Sequence, residues 1–148
     1  MKINPHIKNS RREPSGLLIS ILFAVLLAQL TGCGLEEQKP QKLKDLDYTI
    51  VEESEIPQKL METIEERKEG EFKVSFENED GLYLVHGYGE QETGGYSIVV
   101  RNLYLTKQAL YFDTELLGPE NGSDPPKKPS YPYIVVKTEK QEQNIVFE

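Results

Sequence analysis

Apolar and polar residues alternate over much of the chain after residue 70, and this period of two predicts a β-rich domain. Phe72, Val74 and Phe76 alternate with polar residues, which indicates a strand with one buried face. Residues 78–81 read Asn-Glu-Asp-Gly, a turn sequence, and an apolar returning strand follows. Residues 71–86 are therefore predicted to form a hairpin.

Further strands are predicted on both sides of this hairpin. Leu103 is out of phase with the alternation of Ile98 and Val100, so a bulge near Arg101-Asn102 is expected to restore the register. An aromatic residue before proline at a strand entry also predicts a cis Tyr131-Pro132 bond. By alternation and β-branched content, the predicted strands are residues 48–52, 96–103, 110–116, 131–138 and 144–147.

One segment has the period of a helix. Ile56, Leu60 and Ile64 are spaced by four residues and form one apolar stripe. Pro57 suits the first turn and Gly70 the C-terminal stop, so residues 57–69 are predicted to be helical. In contrast, residues 118–130 are rich in proline and glycine and are expected to be a long loop, either functional or disordered.

The N-terminal residues have the three parts of a secretion signal. Basic residues precede an apolar run over residues 17–28, and small residues follow it. The run is shorter than the about 20 residues of a permanent membrane-spanning helix. Twin-arginine export is disfavoured, since residues 13–16 separate Arg11-Arg12 from the apolar run. Residues 1–32 are therefore predicted to be a signal peptide.

Leu30-Thr31-Gly32-Cys33 stands at the end of this signal and resembles the lipobox of bacterial lipoproteins. The resemblance implies that the chain is cut before Cys33 and that its thiol carries a diacylglycerol, with an N-acyl lipid on the new N-terminus. More than one acyl chain is needed for stable anchoring. We therefore expect an extracytoplasmic lipoprotein, on the outer face of the cell membrane or in an outer membrane, with no cofactor besides this lipid.

Charge and composition narrow the possible functions and the domain organisation of the expected mature chain. Removal of residues 1–32 leaves 13 Lys and Arg against 24 Asp and Glu, a net charge of −11. This balance argues against nucleic-acid binding and against an electrostatic hold on anionic lipids. Residues 33–46 are polar and charged and are interpreted as the lipidated N-terminus and a disordered tether. Residues 47–148 are predicted to be one α+β, mainly β domain, with one helix packed on a largely antiparallel sheet or open barrel.

Signals of chemistry are scarce in the expected mature chain. Cys33 is the only cysteine, and His86 is the only histidine after the signal peptide. The chain lacks the sequence motifs of serine hydrolases, zinc proteases and phosphate-binding loops. Residues 77–81 supply oxygen ligands without the spacing of a calcium loop. We therefore expect no enzyme, no metal site and no small-molecule substrate; catalysis through His86 is the distant alternative.

One stretch of the sequence is informative about family membership. It begins Tyr83-Leu84-Val85-His86-Gly87-Tyr88-Gly89-Glu90-Gln91 and continues as Thr93-Gly94-Gly95-Tyr96-Ser97. With the helix before it and Tyr131-Pro132-Tyr133-Ile134 after it, this stretch resembles the PrcB C-terminal-like family, named after a subunit of a bacterial surface protease complex. The resemblance covers residues 48–138. It implies a non-catalytic interaction module that is accessory to, or stabilises, a secreted or surface protease.

Two interpretations of Thr93, Gly94, Gly95 and Tyr96 stay open. Adjacent glycines most often serve local geometry, which would make this an internal loop with Tyr96 in the core. Alternatively, it is a rigid loop that contacts a partner. A weaker resemblance to the Thr-Thr-Gly-Tyr loop of chagasin-like cysteine protease inhibitors implies a protease inhibitor, although Gly94 replaces the second threonine.

Cys33→Ala tests the anchor. The variant should lose all incorporation of labelled fatty acid and accumulate as uncut precursor, because the thiol is the acceptor of the lipid. Gly34→Ala, outside the four-residue motif, is the control. Normal cleavage of Cys33→Ala with continued partition into detergent would contradict the lipoprotein prediction.

Overall fold

The computed structural model describes residues 41–148. The predicted signal peptide, Cys33 and residues 33–40 of the predicted tether lie outside the described residues. The described part is mainly β, as the alternation predicted. Its elements are β1 (Lys44–Asp45), β2 (Tyr48–Ile50), a 3-10 turn (Glu53–Glu55), α1 (Gln58–Arg67), β3 (Glu71–Asn78), β4 (Gly81–Tyr88), β5 (Ser97–Leu105), β6 (Ala109–Leu117), β7 (Tyr133–Thr138) and β8 (Asn144–Phe147).

The strands form two four-stranded sheets. The first sheet has the order β1-β5-β6-β8 and the second the order β2-β7-β4-β3. Neighbouring strands are antiparallel except for β8, which pairs with β6 in parallel. Consecutive β1 and β2 lie at the edges of different sheets, so the chain passes from one sheet to the other between Asp45 and Tyr48.

Two apolar layers hold these elements together. One lies between the sheets and contains residues from both, including Leu84, Leu110 and Val136, each fully buried. The other lies between the second sheet and helix α1, where Leu60 and Ile64 are buried. The order of layers is therefore helix, second sheet, first sheet.

Strand β4 belongs to both layers. Leu82, Leu84 and His86 point between the sheets, whereas Tyr83 and Val85 belong to the layer under the helix. All residues from Gly81 to Gly87 are buried. This explains the nearly continuous apolar run of β4, because a strand covered on both faces has no polar side.

The elements confirm most of the predicted pattern. Helix α1 begins directly after Pro57 and ends near the predicted stop, and the β5–β6 register shifts between Val100 and Asn102, which confirms the predicted bulge. The strands divide into two sheets rather than one, and these do not close into a barrel.

Two local features differ from the expectations. Strand β1 and Leu46 lie within the segment assigned to the tether, and Leu46 is in the core between the sheets. The peptide bonds of the described chain are all trans, so the cis Tyr131-Pro132 prediction is wrong. The Pro132 carbonyl accepts a hydrogen bond from the Tyr88 amide at 3.0 Å, which joins the end of the loop to β4. No helix in residues 41–148 has the length and apolar character to cross a membrane.

Gly87→Ala tests the packing beneath the helix. Gly87 faces Phe72 across strands β3 and β4, and a β-carbon there would overlap Cε1 of that ring and lie 2.7 Å from Cζ. Overpacking of this kind should lower the free energy of unfolding by about 1–3 kcal/mol. Gly118→Ala, where a β-carbon meets nothing within 4 Å, is the control in the same urea titration. Equal stability of the two variants would contradict this packing.

Candidate functional site

The predicted partner loop packs against the proline-rich loop, and the two segments, residues 91–96 and 118–130, are here called the loop clasp. Gln91 and Ser130 exchange backbone hydrogen bonds of 2.8 and 3.0 Å. The Gly94 amide donates to the Pro126 carbonyl at 2.9 Å, and the Ser130 hydroxyl donates to the Thr93 carbonyl at 2.6 Å. Residues far apart in sequence thus form one surface feature at one end of the sheets.

The two adjacent glycines of the clasp, Gly94 and Gly95, have local structural roles. Gly95 has a φ of +85°, a conformation that strongly favours glycine, and a β-carbon there would lie 3.2 Å from Pro125. A β-carbon at Gly94 would lie 3.2 Å from the ring of Pro126. Tyr96 is half-buried and is outside both core layers, which differs from the interpretation of Tyr96 as core. The two glycines therefore allow the two segments of the clasp to pack closely. Part of the clasp stays exposed to solvent, including Gly95 and Pro126.

A chain of polar side chains lies just below the clasp, between the sheets, and is here called the histidine network. His86 is only 4% exposed. Its Nδ1 lies 2.7 Å from the Thr114 hydroxyl, and its Nε2 lies 3.2 Å from a Glu71 carboxylate oxygen. The Tyr88 hydroxyl lies 2.7 Å from the same Thr114 hydroxyl, and its ring stacks on His86. The network joins β3 and β4 of one sheet to β6 of the other.

The carboxylate of Glu71 fixes the direction of these hydrogen bonds. It can only accept, so the Nε2–H of His86 donates to it. In the neutral ring Nδ1 is then an acceptor, and the Thr114 hydroxyl donates to it. Because that hydroxyl has used its proton, the hydroxyl of Tyr88 donates to Thr114. Each buried polar atom of the network has a partner, in keeping with the absence of unsatisfied buried side-chain atoms from the described chain.

Burial keeps His86 neutral. Desolvation lowers the pKa of His86 below its usual value, with a further decrease from nearby Lys73, and the hydrogen bond to Glu71 opposes them. Desolvation likewise raises the pKa of Tyr88, and the hydrogen bond to Thr114 opposes this increase. Both groups are thereby held in their uncharged forms around neutral pH.

Thr114, His86 and Glu71 are the residue types of a hydrolytic triad, with a hydroxyl, an imidazole and a carboxylate hydrogen-bonded in that order. Thr114 is 8% exposed, and its hydroxyl oxygen already accepts a hydrogen bond from the Tyr88 hydroxyl. A nucleophile must instead be free to reach a substrate carbon. The geometry therefore suits a hydrogen-bonded link between the sheets better than nucleophilic attack.

The histidine network is also connected to the loop clasp. The Gln91 side chain donates to the Tyr88 carbonyl at 3.0 Å, and the Tyr88 amide donates to Pro132. Sequence reasoning identified His86 but missed Glu71, Tyr88 and Thr114 as its partners. The available signal was Thr114 itself, a polar residue at an inward position of an otherwise apolar stripe in β6.

Metal ligation finds no support in residues 41–148, where no group of three or more His, Cys, Asp or Glu side chains is arranged to hold an ion. Cys33, the predicted lipid-attachment residue, lies outside this part of the chain. The predicted partner residues Thr93, Gly94, Gly95 and Tyr96 all lie together in the clasp.

The fold is that of a small helix-on-two-sheets domain whose connecting loops meet at one end. A PrcB C-terminal domain is found at residues 82–139, by a match to that family's model. The matched segment contains β4 after Gly81, β5 to β7, both halves of the loop clasp, and His86, Tyr88 and Thr114. It is shorter than the predicted resemblance, since α1 and β3 lie outside it. Neither the curated proteins nor the solved structures contain a match.

His86→Gln tests the network through pH. A histidine whose pKa is lowered by folding stabilises the protein above its unfolded pKa of about 6.5 and loses this contribution as pH falls through the folded value. The free energy of unfolding should therefore fall from pH 7 towards pH 5, and less steeply in His86→Gln, where this group is gone. Lys107→Gln removes an exposed charge that is not among the causes of the His86 pKa shift and is the control. Parallel stability profiles for the wild type and His86→Gln would contradict the assignment of a depressed pKa.

Proposed function

We propose that this protein is a membrane-anchored, non-catalytic interaction module outside the cytoplasm, held by lipid on Cys33, that is accessory to or stabilises a secreted or surface protease. The observation that carries the proposal is the PrcB C-terminal match over residues 82–139, because that family hints at protease-associated modules. The lipobox at residues 30–33 supports the anchoring part.

The loop clasp is the surface that we assign to the partner. Its two segments are joined by backbone and side-chain hydrogen bonds, so little conformational entropy remains to be lost when a partner binds. Exposed Pro126, Lys127 and Lys128 lie beside the glycine loop and add to the available contact area. A preorganised loop pair of this kind suits recognition of a protein surface.

An inhibitor that presents Thr93 to Tyr96 is the second candidate. A rigid, partly exposed loop at one end of a β domain also suits insertion into a protease cleft. The two functions differ in their effect on the protease: an inhibitor blocks it at equimolar protein, whereas an accessory module binds it and leaves it active. Catalysis through His86 would require substrate turnover by the protein alone.

Affinity capture of the full lipoprotein from its native membrane tests the proposal. The captured material should contain a protease that reacts with an active-site-directed covalent probe. Thr93→Val keeps the side-chain shape and the carbonyl that accepts from Ser130 but removes the hydroxyl. It should weaken capture about fivefold while the melting temperature stays near wild type, because one interfacial hydrogen bond is worth about 1 kcal/mol.

Ser130→Ala is the matched variant for the clasp itself. It removes the hydrogen bond to Thr93 and should lower the free energy of unfolding by about 0.5–1.5 kcal/mol. Capture that contains no probe-reactive protease would overturn the accessory role. A lowered melting temperature of Thr93→Val with unchanged capture per folded molecule would remove the clasp from the interface, and an equimolar block of the captured protease would favour the inhibitor.

A further inference from the structure

An open groove of about 710 Å³ lies on the helix-bearing side of the second sheet. It is away from the loop clasp, near the β3–β4 turn that contains Asp80, and helix α1 contributes nothing to its lining. Its lining comes from β2, β4, β7 and the residues that flank these strands.

The rim of the groove is acidic. Four carboxylates line it, from Asp47, Glu55, Asp80 and Glu139, against one cation, Lys137. The ammonium of Lys137 lies 5.7 Å from the centre of the Tyr83 ring. The ion pairs of the described chain involve other carboxylates, so none of these four forms a direct ion pair within residues 41–148.

One wall of the groove is strand β2, which within residues 41–148 pairs only with β7 and is an edge strand. The Val51 amide donates to the Val135 carbonyl at 2.9 Å, so Val51 faces β7. Hydrogen-bonded and non-hydrogen-bonded positions alternate in an antiparallel pair. The backbone groups of Tyr48 and Ile50 therefore point to the free edge. Their residues are 42% and 58% exposed, which leaves this edge open to another strand.

We propose that the groove and the free edge of β2 together bind an extended peptide segment that carries lysine or arginine. Backbone hydrogen bonds to Tyr48 and Ile50 add the segment to the sheet, and its basic side chains contact the four carboxylates of the rim. Strand addition supplies affinity through the backbone, whereas the charge of the rim selects the side chains. This site is separate from the clasp and does not rest on the proposed function.

Peptide binding to the full chain in nonionic detergent tests the proposal. The probes are three fluorescent peptides of alternating threonine and a second residue, which is lysine, glutamine or glutamate. The lysine peptide should bind, the glutamine peptide should bind more weakly, and the glutamate peptide should not bind. Added salt should weaken the lysine peptide most, because exposed charges are screened.

Two pairs of variants locate the site. Asp80→Asn with Glu139→Gln should raise the Kd of the lysine peptide about three- to tenfold, whereas Glu66→Gln with Glu69→Gln, an equal charge change on exposed residues in and just after α1, should not. Ile50→Pro removes an amide that faces the free edge and should raise the Kd about fivefold or more, whereas Ile50→Val keeps that amide. Circular dichroism checks that each variant is folded.

Three results would overturn the proposal. These are no binding of the lysine peptide, equal binding of the lysine and glutamine peptides, and equal loss of affinity in the rim variant and its helix control. Loss of peptide binding as the protein concentration is raised, together with a dimer in sedimentation, would identify a second copy of the chain as the occupant, against the proposal. Because no protease is present, failure here leaves the accessory role standing, and failure of the membrane capture leaves the groove standing.

Discussion

Strand β4 is covered on both faces, and the rest of the domain is arranged around that burial. One face requires a partner layer of apolar residues, which β5 and β6 supply through residues such as Leu103 and Phe112. The other requires helix α1, whose stripe meets Val85 and Tyr83. Apolar burial is the main favourable term in folding. A strand with two buried faces therefore requires one covering layer on each side of its sheet.

This double burial also accounts for the histidine network. His86 occupies an inward position where apolar residues precede it along β4, and a buried polar ring is costly unless it is hydrogen-bonded. Thr114 and Glu71 supply the two partners of the ring. The result is a directional link between the sheets at the end where the apolar layer gives way to the loop clasp.

The sequence predicted those features that depend on local periodicity. The stripe of α1, the alternation of β3 and β6, and the bulge after Val100 were all found. The division into two sheets was missed because the outer pairings of the first sheet are distant or unusual: Lys44 pairs with Leu105, and β8 returns in parallel beside β6. Neither pairing leaves a mark in a short window of sequence, although the unbroken apolar run of β4 was itself a sign of a second covering layer.

The candidate sites were also predictable only as far as their residues are close together in the sequence. The glycine pair at Gly94 and Gly95 indicated an unusual loop, and the structure supplies its partner, prolines that lie 24 or more residues further along the chain. His86 was visible as the lone histidine of the domain, but its hydrogen-bond partners come from other strands. The acidic groove gave no signal, since its carboxylates are scattered from Asp47 to Glu139 and only the fold brings them together.

The two surfaces that we assign lie at opposite ends of β4. The groove includes Asp80 and Tyr83 near the start of this strand, whereas Tyr88 at its end is bonded to Gln91 of the clasp. At about 3.3 Å per residue, the stretch from Tyr83 to Tyr88 spans roughly 16 Å. A peptide strand in the groove and a protein on the clasp therefore occupy different surfaces and need not compete. Because β4 is buried from Gly81 to Gly87 and is paired with β7 over most of this length, coupling of the two sites would have to pass through rigid paired strands, so we expect their occupancies to be independent.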